Sequence, residues 1–328
     1  MIYDHILSTV GNTPMIRMEM KDKGLENIRL YAKLEFLNPT GSVKDRAASF
    51  VIRKLLESKE IDTTTTIIES SSGNFGIALA AYCKLNGLRF ICVVDPHLTN
   101  MNEMLMKSFG AEVIKVTTPD ENGGYLLTRI RKVKQLCGEI KNSYWVNQYG
   151  NPYNAEAYYH SLGGEICSEM EKLDYIFLGI SSGGTITGVS RRIKEKFPTA
   201  KVIAVDIIGS VIFGHPPKKR YIPGIGSSMV PEILNHSKID DVIMMDEVTT
   251  IAGCHELLAR YNVFAGGSSG SAYAAIKKYF KEHPVNNAGK KTDVVTVFPD
   301  RGERYCYTVY DEQWCTDFKN NHGEMKEL

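Results

Sequence analysis

The feature that most constrains the fold is an alternation along the chain. Short, nearly continuous apolar runs at 65–70, 89–95, 112–116, 175–180, 201–206, 242–245 and 293–298 are separated by segments with helical periodicity. The clearest of these segments are 44–59, 76–86, 125–137 and 271–282. Strands joined through helices return parallel to one another, so the pattern reads as α/β. Strands that are apolar on both faces need helices on both sides of the sheet. The expectation is parallel-rich sheets covered by helices. No fixed-period repeat and no low-complexity tract breaks the pattern, which excludes a solenoid. One shift in composition, the Asn- and Tyr-rich stretch 145–154, is the expected crossing between two lobes.

Composition narrows the class of partner. With 39 Lys+Arg against 38 Asp+Glu over 328 residues, the chain carries no charge excess suited to nucleic acid or an acidic membrane. The longest apolar runs fall far below the roughly 18 residues that span a bilayer. The opening Met1-Ile-Tyr-Asp-His5 lacks a basic stretch followed by an apolar one, so no secretory leader is expected. Seven scattered cysteines, with no C-x-x-C pair, fit free thiols in a reducing, cytoplasmic setting. Eight dispersed histidines offer no metal-ligand spacing, and no metal is expected.

Three strand-to-helix segments share a chemistry: Glu69-Ser-Ser-Ser-Gly-Asn-Phe-Gly76, Gly179-Ile-Ser-Ser-Gly-Gly-Thr185 and Gly266-Gly-Ser-Ser-Gly-Ser271. Each presents hydroxyls and small residues at a helix N-terminus, where free N–H groups and the helix dipole favour an anion. Ser and Gly are also common caps and turn residues, so a purely structural reading stays open for any one of them. None is G-x-G-x-x-G or a P-loop, so a nucleotide has only fold-level support.

The fourth segment is Asn38-Pro-Thr-Gly-Ser-Val-Lys-Asp-Arg46. Its Ser42-x-x-Asp45 spacing is a capping box, which puts Lys44 in the first helical turn, where the dipole disfavours an ammonium. Two readings stand: an exposed lysine bearing a small penalty, or a lysine kept neutral for imine chemistry.

Taken together, these segments resemble the pyridoxal-phosphate enzymes of the cysteine synthase and tryptophan synthase β-subunit superfamily, fold type II. The matches run in order from Gly11-Asn-Thr-Pro14 to Gly302-Glu-Arg-Tyr305. The resemblance implies a two-lobed fold, with 38–147 as a smaller, mobile domain and 1–37 with 148–328 as a larger one. It implies pyridoxal 5'-phosphate as cofactor, joined to Lys44 through an imine. Ser181, Ser182, Gly183, Gly184 and Thr185 correspond to the phosphate cradle, and Ser269 to the serine at the pyridine nitrogen. Ser71, Ser72, Gly73, Asn74 and Phe75 correspond to the substrate-carboxylate loop, with Asn74 near the cofactor hydroxyl. Gln148 matches a family glutamine. The implied reaction is β-replacement on a serine derivative through an aminoacrylate, with Lys44 as base and then acid, in a homodimer.

Departures from the cysteine synthase pattern point to a subgroup. They include Phe75, Ser181, Tyr149 and Asp300-Arg-Gly-Glu-Arg-Tyr305, together with the stretches 119–129, 206–214 and 223–235. These are similar to enzymes that join O-phospho-L-serine to L-glutamate with loss of phosphate, on the way to 2,3-diaminopropionate for siderophores. A glutamate acceptor brings two carboxylates, so the site needs a further cation; Arg129 is the candidate, the alternative being that it belongs to the solvated face of a helix whose Leu126, Ile130, Val133 and Cys137 pack inward. Tyr149 is a second candidate, the alternative being a half-buried interface tyrosine. A cysteine synthase using O-acetylserine or O-phosphoserine with sulfide, a serine deaminase and a non-catalytic phospholigand-binding subunit remain the alternatives.

Overall fold

The computed structural model describes residues 2–120, 124–285 and 290–323. Two sheets organise them. The larger runs β1 (Met15–Glu19), β2 (Ile28–Leu34), β10 (Thr292–Phe298), β7 (Tyr175–Gly179), β8 (Lys201–Ile207) and β9 (Asp241–Met245). The smaller runs β5 (Glu112–Lys115), β4 (Arg89–Val94), β3 (Thr66–Ser70) and β6 (Ser143–Trp145). Every pairing is parallel except β1 with β2.

Helices supply the crossovers. In the smaller sheet these are α2 (Asn74–Leu85), α3 (Asn100–Ser108) and α4 (Leu126–Glu139). Around the larger sheet lie α5 (Pro152–His160), α6 (Leu162–Glu169), α7 (Gly184–Lys196), α8 (Glu247–Tyr261) and α9 (Gly267–Glu282), with α10 (Glu312–His322) last. The helix α1 (Lys44–Glu57) lies between β2 and β3 in the chain. β3 and β10 are buried at every residue, as strands covered on both faces must be.

All seven expected strand segments form strands, and the mixed α/β class follows. β1, β2 and β6 are additional. β2 carries Lys33 in a fully buried position, paired with Glu165 at 3.1 Å and Glu169 at 2.5 Å, so a charge interrupts what would otherwise read as an apolar run.

Three local expectations need correction. α9 begins at Gly267, so Ser268, Ser269 and Ser271 sit inside its first turns rather than in a loop before it. The capping box forms only in part: Ser42 Oγ accepts from Lys44 N–H at 3.3 Å, and Val43 occupies the cap position. The Asp45 carboxylate instead gathers Thr40 N–H (3.1 Å), Thr40 Oγ1 (2.8 Å) and Ser42 N–H (3.4 Å), tying the helix to the preceding turn. On α4 the buried residues are Leu126, Val133 and Leu136, while Ile130 and Cys137 are only half-buried. Residues 121–123 of the 119–129 stretch lie outside the described residues.

A buried ionic network fixes the lysine helix. Arg46 meets Glu35 through Nε (2.6 Å) and Nη2 (2.8 Å), and meets Glu165 through Nη1 (2.5 Å) and Nη2 (2.8 Å). Thr13 Oγ1 and Asn38 Nδ2 donate to the same Glu35 carboxylate. Fully hydrogen-bonded on both sides, this guanidinium locks α1 to the short 3-10 turn that follows β2 and to α6.

Candidate active site

Carboxyl ends of strands from both sheets converge here, where ligands bind in open α/β folds. β3 leads into Ser71–Gly73, β7 into Ser181–Gly183, and β10 into Pro299 and Asp300. The start of α1 is tied to the last of these, with Val43 N–H donating to the Pro299 carbonyl at 2.8 Å and a bridge between Ser42 and Asp300.

Lys44 is therefore carried into the cleft. Its Nζ donates to Ser182 Oγ at 3.2 Å, which joins the lysine to the segment opening α7. Burial pushes its pKa down to about 8, and the Asp300 carboxylate partly opposes the shift. Desolvation, then, rather than the helix dipole alone, favours the neutral amine. Asn74 Nδ2 donates to Asp300 Oδ2 at 2.7 Å, and Tyr305 OH donates to the same oxygen at 2.9 Å. Burial raises the Asp300 pKa; Arg304, Asn74, Tyr305 and Lys44 work against it. Asp300 also meets the start of α9: its carbonyl accepts from Gly266 N–H, and a Cβ at Gly266 would overlap its carboxyl group. Ser269, in the first turn of that helix, is fully buried, and its Oγ has no protein partner.

The Ser181–Thr185 segment turns at Gly183, whose φ of +83° suits glycine. Ser181 Oγ donates to the Gly226 carbonyl at 3.0 Å, so that hydroxyl holds the neighbouring loop. The N–H groups of the first turn of α7 remain open to an anion.

At the end of β3, Ser71 Oγ accepts from Gly76 N–H at 3.0 Å and Ser72 Oγ from Asp95 N–H at 3.2 Å. Gln148 donates through Nε2 to the Ser70 carbonyl (3.1 Å) and through N–H to Glu69 (3.1 Å). Glu69 is buried beneath them, and desolvation lifts its pKa to about 7 against the Ser70, Gln148 and Trp145 donors and the Arg129 charge. Phe75 turns into the apolar core at 2% exposed, so its side chain is not brought to the cleft. Arg129 donates through Nη1 to Ser72 Oγ at 3.2 Å, and its Nε stands 3.2 Å from Asp95 Oδ2. The half-buried Tyr149 has its pKa raised by desolvation, with Arg129 and Arg220 opposing.

Sequence reading singled out neither Asp95 nor Glu69 nor Arg220. It noted the departure at Asp300, and that departure marks the carboxylate that holds Asn74. Asp95 and Glu69 end apolar strands, a position from which a charge could have been suspected. Arg220 carries no local signal.

A partly desolvated lysine, a glycine-turned helix start beside it, an amide held by a buried carboxylate and an unpartnered buried hydroxyl fit pyridoxal phosphate in donor type and placement. Fold and site together describe a pyridoxal-phosphate-dependent enzyme of fold type II. The chain belongs to the family described as pyridoxal-phosphate dependent enzyme, whose model matches residues 6–300. It is 44% identical over 315 residues to the N-(2-amino-2-carboxyethyl)-L-glutamate synthase of Cupriavidus metallidurans, covering 96% of this chain and 92% of that one. The O-acetylserine-dependent cystathionine β-synthase of Helicobacter pylori superposes with a TM-score of 0.86 at 34% identity, covering 94% of this chain and 98% of that one. An O-ureido-L-serine synthase superposes at 0.85 with 29% identity, covering 95% and 96%. The chain is a β-substituting synthase that depends on pyridoxal phosphate.

Proposed function

We propose that the enzyme condenses O-phospho-L-serine with L-glutamate, giving N-(2-amino-2-carboxyethyl)-L-glutamate and phosphate. The observation that carries this reading is the 44% identity, across nearly the full chain, to a synthase of that name. The guanidinium of Arg129 beside Ser72, shared with Asp95, supports it by adding a cation next to the carboxylate loop that a dicarboxylate acceptor can use.

In this reading Lys44 holds the cofactor, Ser182 to Thr185 with the α7 N–H groups receive its phosphate, and Ser269 faces its ring nitrogen. The bound cofactor supplies an electron sink for charge developing at Cα of the donor. Lys44, with its pKa near 8, removes the Cα proton and later returns it. Ser71 to Asn74 take the donor carboxylate at the start of α2. Residues 38–147 form a smaller lobe whose closure keeps water from the reactive three-carbon fragment. The working form is a cytoplasmic homodimer.

A second reading, a sulfur acceptor with O-acetylserine, is favoured by the 34% identity to the Helicobacter enzyme. Mixing holoenzyme with O-phosphoserine, following the cofactor spectrum, then adding glutamate or sulfide separates the two. The proposal requires glutamate to restore the resting spectrum and phosphate to accumulate. Restoration by sulfide alone, after O-acetylserine, overturns it.

A further inference from the structure

The 24 residues between β8 and the short 3-10 helix Glu232–His236 hold a cation that the reading above does not use. Arg220 is half-buried, and its guanidinium makes two hydrogen bonds, both to neutral acceptors: Nη1 to the Gly209 carbonyl at 3.1 Å and Nη2 to Ser228 Oγ at 3.0 Å. Among the described residues it makes no ion pair. The carboxylates in its surroundings make no ion pair with it, although the buried Asp206 Oδ2 has no hydrogen-bond partner of its own. Glu247 accepts from Tyr221 N–H (2.6 Å) and Ile222 N–H (2.8 Å), and Asp206 accepts from Ile207 N–H (2.8 Å). Burial lowers its pKa, and Asp206, Tyr149 and Glu247 only partly restore it.

Its place ties it to the cleft. The Arg220 side chain packs on Gly226, where an added Cβ would stand 3.3 Å from its Cδ. Gly226 is stitched to the start of the α7 segment by its own N–H to the Ile180 carbonyl (2.7 Å) and by the Ser181 hydroxyl to its carbonyl (3.0 Å). Tyr149 feels both Arg129 and Arg220. Of these two guanidiniums Arg129 already faces Asp95, so Arg220 is the one without a direct ion-pair partner among the described residues. A desolvated, unpaired guanidinium is costly unless an anion completes it, and oxyanions are what its fork geometry fits.

We propose that Arg220 anchors an oxyanion carried by a substrate beyond the carboxylate loop, and so sets specificity for charged over neutral substrates. The oxyanion is the phosphate of the donor or the distal carboxylate of the acceptor, which occupy the region beyond the reacting carbon in succession. The choice between these rests on the proposed function; the anion subsite itself does not.

The test compares wild-type holoenzyme with Arg220→Ala and Arg220→Lys. O-Phosphoserine is compared with O-acetylserine in the first half-reaction, and glutamate with glutamine in the second. Binding of inorganic phosphate to each holoenzyme is measured by calorimetry. Removing one charge-assisted anchor predicts a loss of roughly ten- to hundredfold for a charged substrate relative to its neutral counterpart, with Arg220→Lys in between. Loss confined to O-phosphoserine assigns the donor phosphate; loss confined to glutamate assigns the acceptor. Equal losses for charged and neutral partners, or none, together with unchanged phosphate binding, overturn the proposal. If wild-type enzyme makes no product from phosphoserine and glutamate yet binds phosphate in an Arg220-dependent way, the proposed reaction fails and the subsite stands.

Discussion

Replacing Asp300 with Asn keeps the shape and the hydrogen-bond acceptor but removes a buried negative charge beside the lysine. That charge is what holds the Lys44 pKa up against burial, at about 8. Lys44 and Asp300 form no direct ion pair, so the low end of the range for a neighbouring charge, about one pH unit, applies. The Lys44 midpoint in Asp300→Asn then falls to about 7. Imine formation needs the neutral amine, whose fraction at about pH 7 rises from roughly a tenth to roughly a half. Capture of pyridoxal phosphate by the apo-enzyme, followed by stopped-flow absorbance across the neutral range, should become about fivefold faster at pH 7. Well above pH 8 wild type and variant should converge. An unchanged midpoint, or one that moves upward, would refute the electrostatic link between Asp300 and Lys44. The variant leaves Asn74 and Tyr305 with a neutral acceptor, so their bonds weaken without being orphaned.

Gly183→Asp places a side chain and a negative charge at a position with φ of +83°, in the cradle assigned to the cofactor phosphate. Equilibrium titration should show cofactor affinity reduced by at least about tenfold, with far-ultraviolet circular dichroism unchanged. Arg46→Ala strands the buried Glu35 carboxylate and should cost about 3–5 kcal/mol, read as a lower denaturant midpoint. Because the Lys44 pKa is lowered on folding, the unfolded apo-protein binds more protons between about 8 and the ordinary lysine value. The Lys44 contribution to apo-protein stability therefore rises with pH through that window, while the buried thiols, whose pKa values burial raises, contribute the opposite slope; stability measured across it should fall more steeply with pH in Lys44→Met than in wild type.

The strands that carry the cleft were legible because their side chains are apolar on both faces and their ends break into Ser and Gly. β2 was not, because Lys33 and Arg29 interrupt its pattern, and only the folded chain shows the acids that neutralise them. Ser269 could be named from its motif, but its place inside α9 rather than ahead of it could not, since glycine-rich turns and helix starts share composition. The approach of Asn74 to Asp300, 226 residues apart in the chain, depends on two strands of different sheets ending side by side. Arg129 was named for its charge; Asp95, which shares that charge, came with the fold. Arg220 lies among Lys218 and Lys219, where sequence offers three equivalent cations and only packing on Gly226 distinguishes one.

Borohydride reduction of the holoenzyme, followed by proteolysis and mass spectrometry, tests the central assignment most directly. Reduction fixes the cofactor to whichever lysine holds it. One phosphopyridoxyl group is expected, on the peptide containing Lys44, with loss of the visible absorbance. A group on the buried Lys33 or Lys277, or on an exposed lysine while Lys44 stays unmodified, would contradict it.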